Sequence, residues 1–222
     1  MAVSEVSTIG VLGGTGAQGR GLAVRWAASG LDVVIGSRDA ERAAVTAARV
    51  AGVAGGKVAG ADNVACAAAA DVVLVAVPWD AHTPTLESVR EAVAGKIVID
   101  CVNPLGFDKH GPFALEVAGS AAQIAQELLP ESRVIAAFHH VSAELLADLS
   151  HSTIDTDVLV LGEDRDDVAV VQALAERIPG VRGLYGGRLR NAHQVEALTA
   201  NLIAINRRYK THAGIRITMP EM

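Results

Sequence analysis

The chain has 222 residues, enough for one domain with an appendage or for two small domains. Half of the residues are hydrophobic but only 3% are aromatic, so a sizeable core has to be assembled from Ala, Val, Leu and Ile. A formal net charge of −6 argues against nucleic acid as a main partner, because phosphate neutralisation needs a basic surface, although a local basic pocket for a small anion stays open. No apolar run reaches the ~18 residues that span a membrane without a charge, and no basic-then-apolar leader marks secretion, so the expectation is a cytoplasmic protein. Cys66 and Cys101 fit neither a zinc spacing nor a disulfide framework and read as buried reduced thiols.

Residues 1–7 form a short polar leader. An apolar strand over 8–12 then stops at a dense glycine turn in which Gly14, Gly16 and Gly19 satisfy G-x-G-x-x-G. In that spacing the first glycine allows a tight turn, the second lets a pyrophosphate approach the backbone, and the third lets the following helix pack on its strand. The phosphates would sit on free N–H groups at the positive end of the helix dipole. A helix over 17–29 follows, with Leu22 and Trp26 on one face, and Gly30 stops it. A second strand over 32–36 completes a βαβ unit within about 30 residues, the context this glycine pattern requires.

The end of the second strand bears on cofactor choice. NAD-binding chains place a carboxylate there for the ribose 2′-hydroxyl. Here Ser37 and Arg38 stand in its place, with Arg42 one helical turn on. A hydroxyl and two guanidinium groups suit a 2′-phosphate, which points to NADP(H). The alternative is a solvated helix face shared with Asp39 and Glu41.

Residues 39–51 read as an alanine-rich helix and residues 52–60 as a flexible glycine-rich connection with a short strand over 57–59. Asp62 or Asn63 caps a further helix to about residue 70. The continuous apolar strand 71–77 is of the kind buried on both faces of a parallel sheet, and Pro78 ends it. Trp79 therefore falls at the carboxyl edge, where open α/β sheets bind ligands; it is placed either to cover a nicotinamide or its ribose, or to pack under the next helix. A helix over 81–93 leads to a strand over 96–101, which delivers Asn103, a donor and acceptor for a cofactor amide or hydroxyl, to the same edge. Residues 106–119, with Asp108, Lys109 and His110, read as an irregular exposed loop. Ser120 caps a helix over 121–129 that Pro130 terminates.

A strand over 133–138 brings His139 and His140 to the edge. Adjacent side chains point in opposite directions on an extended chain, so the two do not form a metal pair, and no metal site is expected. A polar segment over 148–157, a strand over 158–162, a helix over 164–177 with an acidic start and a strand over 181–185 follow. The closing helix over 191–209 presents Val195, Leu198, Leu202 and Ile205 on one face. The fold class expected is α/β: a Rossmann-type, mostly parallel, doubly wound sheet in residues 1–145, with a small C-terminal α/β domain in residues 146–222 packed at the carboxyl edge to complete a cleft.

Taken in order, Gly13-Gly14-Thr15-Gly16 with Gly19, Val34-Ile35-Gly36-Ser37-Arg38, Val77-Pro78-Trp79 and the His139 segment resemble the NADPH-dependent coenzyme F420 reductase family over nearly the whole chain. The resemblance implies hydride transfer between NADP(H) and the deazaflavin of coenzyme F420. It implies that Thr15, Gly16, Ala17 and Gln18 take the phosphates and that Thr15 joins Ser37, Arg38 and Arg42 at the 2′-phosphate. It places Trp79 and Asn103 along the nicotinamide half, the Ala143 backbone at the carboxamide, His139 against the deazaflavin, and Ala213 or its neighbours at the closing wall. It also implies a homodimer. After about Leu198 the match is weaker, and His140 and Ser142 depart from the family's usual forms.

Direct hydride transfer needs no nucleophile, triad or metal, because the two rings carry it and the protein holds them ~3–3.5 Å apart away from water. No catalytic residue is therefore assigned. An NADP-dependent reductase of a keto acid or imine would need a proton donor and usually a large helical domain, whereas the lysines here (Lys57, Lys96, Lys109 and Lys210) are not mid-helix in the closing segment. A non-catalytic NADP(H) sensor would have no need of a second planar pocket.

Overall fold

The computed structural model describes residues 6–219; residues 1–5 of the leader and 220–222 of the tail lie outside the described residues. Strand β1 (Thr8–Leu12), helix α1 (Ala17–Ala28) and strand β2 (Asp32–Ser37) form the first βαβ unit. Next come α2 (Ala40–Ala54), β3 (Val58–Asp62), α3 (Asn63–Ala69) and β4 (Val72–Val75). A 3-10 turn at Trp79–Ala81 leads into α4 (His82–Val89), then β5 (Ile97–Asp100). The chain continues through β6 (Leu105–Asp108), β7 (Gly111–Ala114), α5 (Ala121–Leu128), β8 (Arg133–Ala136) and α6 (Ala143–Ala147). It ends with β9 (Thr156–Leu161), α7 (Arg165–Glu176), β10 (Val181–Gly187) and α8 (Ala192–Tyr209).

The main sheet has eight strands in the order β10-β9-β8-β5-β4-β1-β2-β3. Every pairing is parallel except β8 with β9, so the doubly wound reading holds. The chain moves outward from β1 to β2 and β3, then crosses back to β4 on the other flank of β1, leaving a crevice between the carboxyl ends of β1 and β4. Strands buried on both faces divide their side chains between two cores. Ile9, Val11, Val72, Leu74, Ile97 and Ile99 face one core, and Leu12, Val73, Val75 and Val98 face the other. The first core includes Trp26, fully buried, whose indole N–H donates to the Leu174 carbonyl (3.0 Å) and whose ring meets Phe138 edge-on.

The helix starts follow from side-chain caps. Asp39, Asp62, Ser120 and Asp164 each accept a backbone N–H from the first turn of α2, α3, α5 and α7. Such a cap contributes about 1 kcal/mol; Asp62 and Ser120 are expected as caps from the sequence, whereas Asp39 and Asp164 read there as the first residues of their helices. Asp39 points inward to its own helix, accepting from Glu41 and Arg42 N–H groups (2.9 and 3.1 Å), and so leaves the Arg38 and Arg42 side chains unpaired with it.

Four expectations need correction. Residues 52–60 are not a flexible connection: α2 runs to Ala54, and β3 pairs with β2 over five residues. The strand expected over 71–77 stops at Val75, and residues 76–78 turn outward as cleft wall. Residues 106–114 are not irregular, because β6 and β7 form an antiparallel hairpin whose tip is closed by Asp108 accepting from the His110 and Gly111 N–H groups; residues 115–119 are irregular as expected. Lys109 and His110 are exposed at that tip. On α8, Val195 and Leu202 are buried as expected, but Ile205 is 39% exposed, and it is Ile203 and Asn206 of the same turns that line the cleft. The segment after residue 145 adds β9 and β10 to the same sheet, beyond β8, while α8 and the residues after it cover the cleft.

Candidate active site

The glycine turn is built around Gly13, which the G-x-G-x-x-G spacing does not single out. Gly13 has φ +75°, and a β-carbon there would lie 2.5 Å from the Ala76 carbonyl oxygen. The tight turn expected at Gly14 thus sits one residue earlier. Gly14 instead gives its N–H to the Gly36 and Val11 carbonyls and leaves no room for a β-carbon beside Val11 and Ile35. Gly19 plays the role its position implies: a β-carbon would meet Gly13 O at 2.9 Å and Gly14 Cα at 3.0 Å, so only glycine lets α1 approach the turn. Gly16 donates its N–H to Gly13 O (2.9 Å), and its exposed Cα face is the one a diphosphate would approach. The N–H groups of Ala17 and Gln18 open α1 and have no helical acceptor behind them, which fits an anion.

At the tip of β2, Ser37 is buried and its hydroxyl accepts the Asp39 N–H (3.2 Å), while Arg38 and Arg42 are exposed and in no ion pair among the described residues. That free pair of guanidinium groups beside a hydroxyl suits a 2′-phosphate and offers nothing to a bare ribose diol that a carboxylate would offer.

A cleft of ≈ 910 Å³ opens along the carboxyl edge, at the large end of the range for small-molecule sites. It gathers Gln18, Trp79, Asn103, His139, Ala143 and Ala213 from five separate stretches of chain. Gly14, Thr15, Gly16, Ala17, Ser37, Arg38 and Arg42 lie outside it, on the nucleotide side. The Gln18 side chain does not point toward a phosphate: its amide donates to the Phe138 carbonyl (3.0 Å), tying the start of α1 to the end of β8. Phe138 itself has φ +66°, unusual for a residue with a β-carbon, and this left-handed kink turns the chain from the sheet into the cleft.

His139 follows that kink. Its carbonyl accepts from Asn103 Nδ2 (2.9 Å) and Thr199 Oγ1 (3.0 Å), which fixes the backbone. Both its ring nitrogens are buried without a partner, as is Asn103 Oδ1. Burial lowers the His139 pKa to about 4, so the ring is neutral, with one donor and one acceptor to offer. Buried orphans of this kind cost about 1–3 kcal/mol each, and a polar heterocycle in the cleft would satisfy them. His140 is already committed, through Nε2, to the Asp157 carbonyl (2.7 Å). The strand expected over 133–138 ends at Ala136, so both histidines sit in a turn and both line the cleft; they differ in hydrogen bonding rather than by strand alternation.

Trp79 is half-buried on the cleft wall and stacks on His82 (centroids 5.4 Å apart, planes at 29°). It packs on His82 at the start of α4 and also lines the cleft. His82 Nε2 lies 2.6 Å from Asp100 Oδ2, both side chains being fully buried. The other Asp100 oxygen accepts the Val102 N–H (2.9 Å), so one carboxylate braces the Trp79 and Asn103 walls together. Beneath them, Glu196 of α8 accepts the Ala121 and Ala122 N–H groups at the start of α5, and burial pushes its carboxyl up to about 7. Arg25, inside α1, donates to the carbonyls of Leu145, Leu146, Asp148 and His151 and anchors the segment carrying Ala143. None of His82, Asp100, Glu196 or Arg25 carries a local motif; a charged residue inside an apolar stretch was the only signal. Cys66 and Cys101 are buried free thiols donating to strand carbonyls, and burial raises Cys66 to about 12, which leaves it unreactive.

The segment after α8 forms the far wall. Ala213 N–H donates to Asn206 Oδ1 (2.6 Å), and Ile215 and Ile217 run beside β9 through bonds to Thr156 and Asp157. Asp157, fully buried, also holds Arg182 and Arg216, whose guanidinium groups keep its carboxyl well below the usual range.

The glycine turn, the parallel sheet and the cleft at its carboxyl edge define a Rossmann-type, dinucleotide-dependent oxidoreductase. The family model described as "NADP oxidoreductase coenzyme F420-dependent" matches residues 8–104. The F420-dependent NADP reductase of Methanothermobacter thermautotrophicus is 44% identical over 226 residues, covering 97% of each chain. That of Methanocaldococcus jannaschii is 36% identical over 96% of this chain and 99% of its own. A crystal structure assigned to the F420-dependent NADP-reductases, from Arthrobacter sp. FB24, superposes with a TM-score of 0.82 at 26% identity, covering 96% of this chain and 100% of that one. This chain belongs to the F420-dependent NADP reductase family.

Proposed function

We propose that the chain transfers a hydride reversibly between NADP(H) and coenzyme F420, with the residue roles set out here. The observation that carries the reading is the pairing of an anion-binding glycine turn with a cleft whose floor holds the unpartnered polar atoms of His139 and Asn103. When bound, the nicotinamide and the deazaflavin supply the hydride chemistry between them. The protein binds, orients and excludes water.

In this reading Gly14, Thr15, Gly16, Ala17 and the Gln18 N–H cradle the phosphates. Ser37, Arg38 and Arg42 take the 2′-phosphate. Trp79, Asn103 and the Ala143 backbone align the nicotinamide half. His139 meets the deazaflavin as a neutral hydrogen-bonding partner, with Ala213 on the opposite wall. Residues 1–145 serve as the NADP half and residues 146–222 complete the deazaflavin cleft, a functional division across a continuous sheet. The same reading makes the protein a cytoplasmic homodimer that binds no nucleic acid. Reduction of a keto acid or imine is disfavoured by the lysine positions, since Lys57, Lys96 and Lys109 are outside the cleft lining and Lys210 stands on its rim.

The test is a spectrophotometric assay of purified protein with NADPH and F420. Loss of the oxidised deazaflavin absorbance, dependent on both, is expected. No turnover of F420, combined with turnover of a keto acid or imine, would overturn the proposal.

A further inference from the structure

The outer rim of the cleft, where α8 ends, is basic in a protein whose net charge is −6. Arg207 and Lys210 both line it. Neither is in an ion pair among the described residues, whereas Arg133, Arg182 and Arg216 all are. The acids on the cleft lining lie elsewhere: Asp80 beside Trp79, and Glu144, which pairs with His212 (3.3 Å).

Each basic group is positioned by something particular. The Arg207 guanidinium sits over the Phe107 ring of the hairpin, 5.9 Å from the centroid and within the reach of about 6 Å for such a contact. With no acid pairing it among the described residues, this guanidinium keeps its N–H donors for a ligand. Lys210 caps α8 in the left-handed conformation, φ +51° and ψ +51°. Glycine is the usual residue at such a C-terminal cap because a β-carbon is disfavoured there. A lysine in that place accepts a conformational cost and gains an ammonium on the rim. The helix dipole accounts for cations in the last turn, a role Arg208 fills from the solvent side, but it does not call for lysine at the left-handed position.

Resting on the deazaflavin reading above, we propose that Arg207 and Lys210 form the subsite for the anionic side chain of the deazaflavin coenzyme, its phosphodiester and glutamyl carboxylates. The ring enters toward His139, and the charged tail leaves across the rim. Arg207 presents a forked donor edge suited to phosphate or carboxylate, and Lys210 a mobile point charge for the carboxylates beyond it. This subsite is separate from the 2′-phosphate cluster, whose residues do not line the cleft.

The test compares F420 with the tail-less deazaflavin that keeps only the ribityl chain, both assayed with NADPH. In Arg207→Ala/Lys210→Ala, the ratio of kcat/KM for F420 to that for the tail-less deazaflavin should fall about fivefold, through KM, as expected for two exposed charge contacts. Raising salt from about 0.05 to 0.5 M should lower the same ratio in the parent and leave it flat in the variant. Lys210→Gly serves as the second variant, since it relieves the left-handed strain and should raise Tm while lowering the ratio about twofold to threefold. An unchanged ratio in both variants, or equal losses on the two deazaflavins, overturns the subsite. A parent that turns over neither deazaflavin overturns the coenzyme reading itself, and the subsite with it.

Discussion

Replacing Arg38 and Arg42 together by alanine is expected to convert an NADPH-selective site into one that barely distinguishes NADPH from NADH. Both side chains are exposed and take part in no ion pair among the described residues, and the nearest acid, Asp39, is turned away to cap α2. Nothing inside the fold therefore depends on them, and the variant should melt within about 0.5 kcal/mol of the parent. Hydrogen bonds to a charged group contribute roughly 1.5–3 kcal/mol when sheltered; at this exposed site about 1–1.5 kcal/mol per arginine is the reasonable share. Loss of both then costs about 2–3 kcal/mol, or roughly 30- to 150-fold in the Kd for NADPH at about 1.4 kcal/mol per decade. NADH lacks the 2′-phosphate, and its Kd should move less than about twofold. Direct titration of the two reduced nucleotides by fluorescence measures this without any second coenzyme. Equal weakening of both would refute the assignment and return the pair to a solvated helix face.

Two further outcomes follow from buried groups and from the glycine turn. Glu196 titrates near 7 in the fold against a reference of 4.5, so the folded state holds its proton more tightly than the unfolded chain; its share of stability should fall as pH rises from about 4.5 to 7, by at most about 3 kcal/mol, and the stability of Glu196→Gln relative to the parent should therefore rise across that window in urea denaturation. His139 acts in the opposite sense. Its pKa is held down to about 4 from 6.5, so its share of stability grows as pH rises through that window, and this rise should persist in Glu196→Gln. An unaltered pH profile in the variant would mean that Glu196 is not the group responsible. Gly13→Ala should destabilise by about 3 kcal/mol, from the left-handed φ and the 2.5 Å approach to Ala76 O, whereas Gly16→Ala, which meets only Gly13 O at 3.2 Å, should fold normally and bind NADPH poorly; thermal melts and NADPH titration separate the two.

Local rules made the nucleotide half legible. Continuous apolar strands, polar caps such as Asp62 and Ser120, and a glycine turn between strand and helix act within a few residues of themselves, so the sequence determines the βαβ unit, and the Ser37-Arg38 ending of β2 determines the charge it offers. The same reasoning placed Trp79, Asn103 and His139 at one sheet edge, because parallel strands deliver their carboxyl ends to the same side. What failed was every feature set by a distant partner. The hairpin β6–β7 reads as a loop because Gly106, Gly111 and Pro112 are loop residues; it is a hairpin because β7 packs on α8 and Phe107 on Arg207, contacts made across about a hundred residues. The buried His82–Asp100 pair, the Glu196 carboxylate over α5 and the Arg25 clasp on four carbonyls have no local signature, since a charge is tolerated inside only when tertiary structure brings its partner. The left-handed turns at Phe138 and Lys210 belong with them. Neither residue type favours that conformation on its own, and only the packed fold, by holding His139 in the cleft and Lys210 on its rim, makes it the lower-energy choice.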